Sequence, residues 1–350
     1  MGRLSIEIDN RKIGGAYPPY VIAELSANHN GSLERALRLI ETAKKSGADA
    51  VKIQTYTADT MTIDCAREEF VVRGGLWDGY TLYDLYKTAQ TPPEWHKIMF
   101  DRAREIGITL FSTPFDESGV DLLENLGASA YKIASFEIND LELVRRAAST
   151  KKPLIVSTGM ASEEEIEESV NAAIEAGGRA PILLHCVSAY PTPLREANLR
   201  RIERLARRFK TIAGLSDHTK GISAAIASVA MGASVIEKHF TDSRKNDGVD
   251  SGFSVSAGEF KRLSTAVKEV FYALGDGKSA SSETEQKNLI FRRSLYFILD
   301  LKRGETIRRD HIGKIRPGYG LPPKMLNLVV GRKASRDIAR GTAVSFDLVV

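Results

Sequence analysis

The 350-residue sequence predicts an α/β chain, a TIM-type (β/α)8 barrel followed by a small β-rich domain. Three observations carry this. Short β-branched-rich runs alternate with longer charged stretches of helical period, the pattern of parallel strands joined by crossover helices. The rhythm persists for about 250 residues, the usual size of such a barrel. Near Gly275 it stops, and a turn-rich segment takes over.

Taken in order, Leu4 to Ile13 alternates apolar and polar residues around Asp9-Asn10, which predicts a hairpin within residues 3–14. The expected strands are Tyr20–Leu25, Ala50–Thr55, Thr109–Thr113, Ala130–Ser135, Leu154–Thr158, Ile182–Val187, Ile212–Ser216 and Val235–Phe240. Ser32-Leu33-Glu34 opens the first helix, and Ser162 with Glu165 has capping-box spacing ahead of another. Gly47, Gly107, Gly127 and Gly232 stand where helix C-caps feed the next strand. A long loop, Tyr56 to Gly79, follows the second strand and contains Trp77; at the C-terminal face of a barrel such loops are usually functional. The expected domains are 1–276 for the barrel, 277–287 for a Gly/Ser/Glu/Lys-rich linker and 288–350 for the β-rich tail.

Composition excludes several classes. With 43% hydrophobic and 27% charged residues the chain is neither disordered nor fibrous. Forty-nine basic against 45 acidic residues leave +4, too slight an excess to predict binding to nucleic acid or membrane. Only Cys65 and Cys186 occur, so no disulfide framework or thiolate metal site is expected. With no apolar run of membrane-spanning length and no signal-peptide pattern, a cytoplasmic location is the expectation.

Active sites of parallel barrels lie at the carboxyl ends of the strands. Here those ends carry Glu24, Lys52, Gln54, Ser112, Thr113, Lys132, Ser135, Ser157, Thr158, Ser188, Ser216, His218, Glu237 and His239. Side chains alternate along a strand, so Lys52 and Gln54, Ser216 and His218, and Glu237 and His239 each share a face. One buried lysine is commonly a structural ion pair, but polar residues on every strand end point to chemistry. His218 and His239 end neighbouring strands and could present imidazoles to one metal, although two hydrogen-bonded core histidines are the commoner arrangement. With Glu24 and Asp250 as the carboxylates nearby, Mn²⁺ or Mg²⁺ suits better than structural Zn²⁺. The lysines and hydroxyls suit a phosphate and a carboxylate on one small molecule; a Schiff-base lysine is the alternative use of Lys52 or Lys132. No Walker or GxGxxG motif occurs. Cys186 reads as core, His96 as packing or surface, His29 as loop structure or a substrate contact, and Glu163–Glu168 as a solvated helix face.

Ala23-Glu24-Leu25-Ser26-Ala27-Asn28-His29-Asn30-Gly31, Val51-Lys52-Ile53-Gln54, Phe111-Ser112-Thr113-Pro114, Tyr131-Lys132-Ile133-Ala134-Ser135, Ser157-Thr158-Gly159-Met160, Gly214-Leu215-Ser216-Asp217-His218 and Glu237-Lys238-His239-Phe240 resemble the sialic acid synthase family. The tail, with Arg316-Pro317-Gly318-Tyr319-Gly320, is similar to that family's antifreeze-like (SAF) domain. The resemblance implies a metal-dependent condensation of phosphoenolpyruvate with an N-acetylated amino sugar. By motif, His218 and His239 would bind the metal, and Lys52, Gln54, Thr113, Lys132, Ser135, Ser157 and Ser216 would hold phosphoenolpyruvate. Glu24 would activate or orient water, with Glu237 and Asp250 near metal and sugar. The resemblance also implies a homodimer in which the tail covers the partner's barrel mouth and Arg316 contacts sugar in trans.

Two departures bear on the sugar. Leu25-Ser26-Ala27-Asn28 stands where the family typically has Gly-Ile-Asn, and Ser188, in Ser188-Ala189-Tyr190-Pro191, stands where Asn is common. Together with Thr81-Leu82-Tyr83-Asp84-Leu85-Tyr86, Arg292-Arg293-Ser294-Leu295-Tyr296 and Gly320-Leu321-Pro322-Pro323-Lys324, they resemble the members of the family that use a 6-deoxy-2,4-diacetamido sugar, and the resemblance implies that substrate, with N-acetylmannosamine or the legionaminic acid precursor as rivals. A Schiff-base aldolase and a carbohydrate- or surface-binding protein are the readings from other classes.

Overall fold

In a computed structural model of the chain, residues 4–243, 248–275, 277 and 282–350 are described. The chain divides into two compact units, Met1–Gly275 and Asp276–Val350. Arg3 of the expected hairpin, Asp276 at the expected end of the barrel and residues 278–281 of the expected linker lie outside the described residues.

The first unit opens with the hairpin β1 (Ile6–Ile8) and β2 (Arg11–Ile13), antiparallel with Ile6 opposite Ile13. Asp9 and Asn10 both have positive φ, 44° and 63°, the backbone a two-residue turn needs to match the strand twist. Eight strands follow: β3 (Tyr20–Glu24), β4 (Ala50–Thr55), β5 (Thr109–Pro114), β6 (Tyr131–Ile133), β7 (Leu154–Ser157), β8 (Ile182–His185), β9 (Ala213–Asp217) and β10 (Val235–Thr241). Each pairs in parallel with the next, and β10 pairs with β3, so the barrel predicted from the sequence rhythm closes. A two-residue strand, β11 (Val255–Ser256), adds to β10.

The connecting helices begin where the sequence signals them. Ser32 accepts from Arg35 N to cap Leu33–Lys45, and Ser162 with Glu165 forms a capping box on Glu163–Glu175. The acidic start of the latter helix is the expected solvated face, and its Glu163 pairs with Arg204 and Arg208.

Residue parity separates two cores. Val21, Ala23, Val51, Ile53, Leu110, Tyr131, Ile133, Val156, Leu183, Leu215 and Ile236 face the helices and form the larger cluster. Tyr20, Ile22, Ala50, Phe111, Ala130, Ile155, Ile182, Leu184, Ile212 and Val235 fill the lower barrel interior together with Ile8 and Ile13 of the hairpin. The hairpin therefore plugs the amino-terminal end, and polar side chains are left for the carboxyl end. Gly214 shows how tight the interior is: a Cβ there would overlap the carbonyl oxygen of Val235 on the adjacent strand.

The second unit is built on β12 (Ser294–Phe297) paired antiparallel with β13 (Ile312–Ile315) and on bridges such as Leu301 to Ile338 and Ala334 to Val349. Leu295, Phe297, Leu301, Ile307, Val329, Ala334 and Val344 form its own core. Within the stretch read as linker, Glu283–Lys287 is a short helix, because Ser282 and Glu285 make a capping box that the composition alone does not weigh.

Candidate active site

The inward parity set by the lower core continues upward. It carries Glu24, Lys52, Gln54, Thr113, Lys132, Ser157, Ser216, Glu237 and His239 into one cavity, joined by Ser135, Tyr190 and His218 from the strand-end loops. The cavity lining is completed by Phe115 and Ala134, which sequence reasoning did not single out. Ser112 and Thr158, also at strand ends, point elsewhere: Ser112 Oγ bonds Thr55 Oγ1 and Ile53 O, and Thr158 Oγ1 donates to Leu184 O.

At the centre, Lys52 Nζ lies 2.9 Å from Glu24 Oε2 and 3.4 Å from Glu237 Oε1, and donates to Thr113 Oγ1 at 2.9 Å. Gln54 Nε2 donates to Glu24 Oε1 and to Ser26 Oγ, while Ser216 Oγ donates to Glu237 Oε1. Apart from the half-buried Gln54 these side chains are buried, so the charges act in a low dielectric. Burial pushes the Glu24 carboxyl up, and Lys52 only partly offsets it. Burial also acts on Glu237, but there Lys52, Lys132 and His218 outweigh it and hold the carboxyl below its ordinary range. Burial would pull Lys52 down, yet Glu237 and Glu24 together push it up. Two carboxylates that share one lysine are thus driven apart in acidity, the arrangement that separates an acid–base group from a permanent anion.

Among the described residues Lys132 makes no such pair. Its Nζ donates to Ser157 Oγ at 2.7 Å and Ile133 O at 2.9 Å, and burial lowers its pKa. An anion bearing phosphate and carboxylate would supply the missing countercharge. Beside it, Ser135 Oγ contacts Ser188 Oγ at 3.0 Å and Cys186 Sγ at 3.4 Å. A Cβ on Gly159 would press into this hydroxyl cluster, which explains the glycine at that strand end. Cys186 is buried on the inward parity of β8, as core, with its thiol against the cluster.

His218 Nδ1 is 3.0 Å from Val187 O, which fixes the proton on Nδ1 and leaves Nε2 as the free lone pair. His239 Nδ1 is buried without a hydrogen-bond partner, as is Glu237 Oε2. The ring centroids are 5.5 Å apart; Tyr190 packs on both imidazoles, and Phe253 packs on His239 and on Tyr190. Burial lowers both histidine pKa values, so the rings are neutral, as metal ligands must be. Two neutral imidazoles with open nitrogens fit a divalent ion that takes its remaining ligands from water or substrate. Among the described residues no three His, Cys, Asp or Glu form a metal-holding group.

Asp250 is buried at the rim, where its Oδ2 accepts from Ala27 N at 3.4 Å; burial raises its pKa. It therefore stands behind Ser26 rather than in the cavity lining. From the long loop, Trp77 Nε1 donates to Val249 O and the indole packs against Tyr190. Arg316 belongs to the second unit, exposed in the segment after β13. Glu137, two residues beyond Ser135, went unnoticed in the sequence. Its Oε2 is buried without a partner, and burial raises the carboxyl to about 7 against the pull of Lys132.

His29 and His96 are structural. His29 accepts from Gly31 N through Nδ1 and packs on Trp95, and His96 Nε2 bonds Thr55 Oγ1 at 2.9 Å.

The fold is a closed parallel barrel with a cavity of charged and hydroxyl side chains at its strand ends, the architecture of a barrel enzyme. The profile of the NeuB family matches residues 39–279, and that of the SAF domain matches 292–350. The chain belongs to the NeuB family. It is 47% identical to the pseudaminic acid synthase of Campylobacter jejuni strain 81-176, over 93% of this chain and 95% of that protein. It is 41% identical to the pseudaminic acid synthase of Helicobacter pylori, over 94% and 97%. Among solved structures, the N-acetylneuraminic acid synthetase of Leptospira borgpetersenii, crystallised with citrate, is 34% identical with a TM-score of 0.74, over 82% of this chain and 95% of that one.

The histidines also set a stability prediction. Burial lowers His29 from 6.5 to about 4, and lowers His96, His185, His218 and His239 as well. A folded-state pKa below the unfolded one contributes stability above the unfolded value, and that contribution is lost as pH falls through the window. His29 alone accounts for about 3 kcal/mol lost between its unfolded and folded pKa values. Urea midpoints measured at pH 7 and pH 5 are expected to drop more in the parent than in His29→Gln; equal drops would remove His29 from the account.

Proposed function

We propose that this enzyme is a pseudaminic acid synthase, condensing phosphoenolpyruvate with 2,4-diacetamido-2,4,6-trideoxy-L-altrose and water to give pseudaminic acid and phosphate. The observation that carries the chemistry is Lys132, buried and bonded to Ser157, with no carboxylate in ion-pair contact among the described residues. The choice of sugar is supported by the identity to pseudaminic acid synthases, 47% and 41%, against 34% to the N-acetylneuraminic acid synthetase.

Lys132, Lys52, Thr113, Ser157 and Ser216 would hold phosphate and carboxylate through charge-assisted hydrogen bonds, with Gln54 and the Ser135–Ser188 pair at the edge. Held there, the enol C3 attacks the aldehyde carbon of the open-chain sugar and forms the new C–C bond. Water adds to C2, and the tetrahedral intermediate loses phosphate as the C–O bond breaks. Glu24, with its raised pKa and fixed by Lys52 and Gln54, is the group suited to take the proton from that water. Glu237 stays ionised and anchors Lys52. When Mn²⁺ or Mg²⁺ is bound, His218 and His239 would hold it, and the ion would supply Lewis-acid polarisation of the aldehyde oxygen. Asp250 and Tyr190 would shape the sugar end.

In the same proposal the enzyme is a homodimer, with Arg316 of the SAF domain reaching the partner's barrel to contact sugar. The exposure of Arg316 is consistent with a contact made outside its own unit. No helix among the described residues is long and apolar enough to cross a membrane, and Cys65 and Cys186 are both free.

Phosphate release with phosphoenolpyruvate, Mn²⁺ and each of three sugars tests the substrate. The diacetamido-altrose should turn over fastest, and turnover confined to N-acetylmannosamine would overturn the choice. Aldol turnover without phosphoenolpyruvate, with borohydride trapping at Lys132, would instead mark an imine aldolase.

In the same assay Glu24→Gln should lower kcat by about 10²–10⁴-fold with little change in the KM for phosphoenolpyruvate. A near-parental kcat would leave Glu24 without the acid–base role.

For the dimer, Arg316→Ala and His239→Ala should each be inactive, and a re-equilibrated equimolar mixture should recover about a quarter of the parental activity, since one site in each mixed dimer is intact. No recovery would place Arg316 in cis or outside the reaction.

A further inference from the structure

On the outward face of β9 and β10 lies a second buried ion pair that the chemistry above does not use. Lys238 and Asp217 are register partners on the face turned toward the helices, where their neighbours are Leu215, Ile236 and Phe240. Lys238 Nζ meets Asp217 Oδ2 at 2.7 Å, and the two side chains are 0% and 1% exposed. Lys238 Nζ also donates to Thr219 O, and Asp217 Oδ1 accepts from Thr219 N at 2.9 Å.

Stability alone is a weak reason for such a pair. Apolar residues of similar size are often as stable or more so at buried ion-pair sites. The pair instead holds both neighbours of His218. Asp217 before it and Thr219 after it are tied to the one ammonium, while Lys238 itself sits between Glu237 and His239 in the chain. From the opposite side, Thr192 N donates to His218 O, and Val187 O accepts from the ring. A displacement of Lys238 would move His239 and release the His218 segment together.

We propose that Lys238 and Asp217 are positioning residues that fix His218 and His239 relative to one another, and so set the affinity of the site for a divalent ion. The proposal rests on the reading of these histidines as metal ligands. Lys238→Met combined with Asp217→Asn removes the clamp without leaving a buried charge unpaired. Isothermal titration of the metal-free protein with Mn²⁺ should show affinity lowered roughly tenfold or more. In turnover, kcat should fall by about tenfold, with the KM for phosphoenolpyruvate within about twofold of the parent. A folded double variant with parental Mn²⁺ affinity and parental kcat, whatever its melting temperature, would overturn the proposal.

Should the double variant not fold, Asp217→Asn alone retains an acceptor for Thr219 N and weakens only the tie to Lys238. It should still lower Mn²⁺ affinity, and unchanged affinity would count against the clamp. A parent that bound no Mn²⁺ would sink the metal reading itself, and the clamp would then stand or fall on kcat in the variants.

Discussion

A lysine ammonium in the middle of a protein is stable only if anions reach it from several directions, and Lys52 is held in that way. Glu24 comes from β3, Thr113 from β5 and Glu237 from β10, while Lys52 itself stands on β4. These strands lie on both sides of the seam where β10 meets β3, so the ion network depends on barrel closure. The rest of the site hangs from this network. Glu237 carries Ser216 and stands two residues from His239, and Glu24 carries Gln54 and, through it, Ser26. Because Lys52 is shared unequally, Glu24 and Glu237 differ in acidity although both are buried carboxylates. Lys132, by contrast, is held by the Ser157 hydroxyl and the Ile133 carbonyl.

The barrel keeps stability and chemistry apart along its axis. Ile8, Ile13, Tyr20 and Phe111 close the amino-terminal end with apolar contacts, so the opposite end can concentrate polar groups without opening the core. Across the wall, outward residues mostly bind the helices through apolar contacts, and Lys238 with Asp217 forms a buried charged pair among them. That pair falls between the two histidine-bearing positions, which is why a positioning role accounts for it better than a structural one. The second unit has its own core and its own strand pairing, which fits a separately folded module.

Period-two alternation was legible without coordinates. It placed Lys52 with Gln54 and Glu237 with His239 on one face, and the cavity contains all four. Capping residues were legible for the same reason, since Ser32 and Ser162 act on backbone groups three residues away. Polarity at a strand end was a poorer guide. Ser112 and Thr158 have the same residue types as Thr113 and Ser157 but the opposite parity, and they bond backbone and wall instead. Glu137 and Phe115 were missed because they lie in the turns after strands, where alternation no longer assigns a direction.

The sequence by itself determined the barrel, its strand order, the small second fold and the set of polar residues brought to one end, because these follow from local periodicity and chain connectivity. Only the tertiary structure decided which of two identical carboxyl groups is pushed up and which is held down, which nitrogen of His218 remains open, and that Lys238 closes on Asp217. Those properties depend on through-space distances and burial between residues as far apart as Glu24 and Glu237, and no local pattern encodes them.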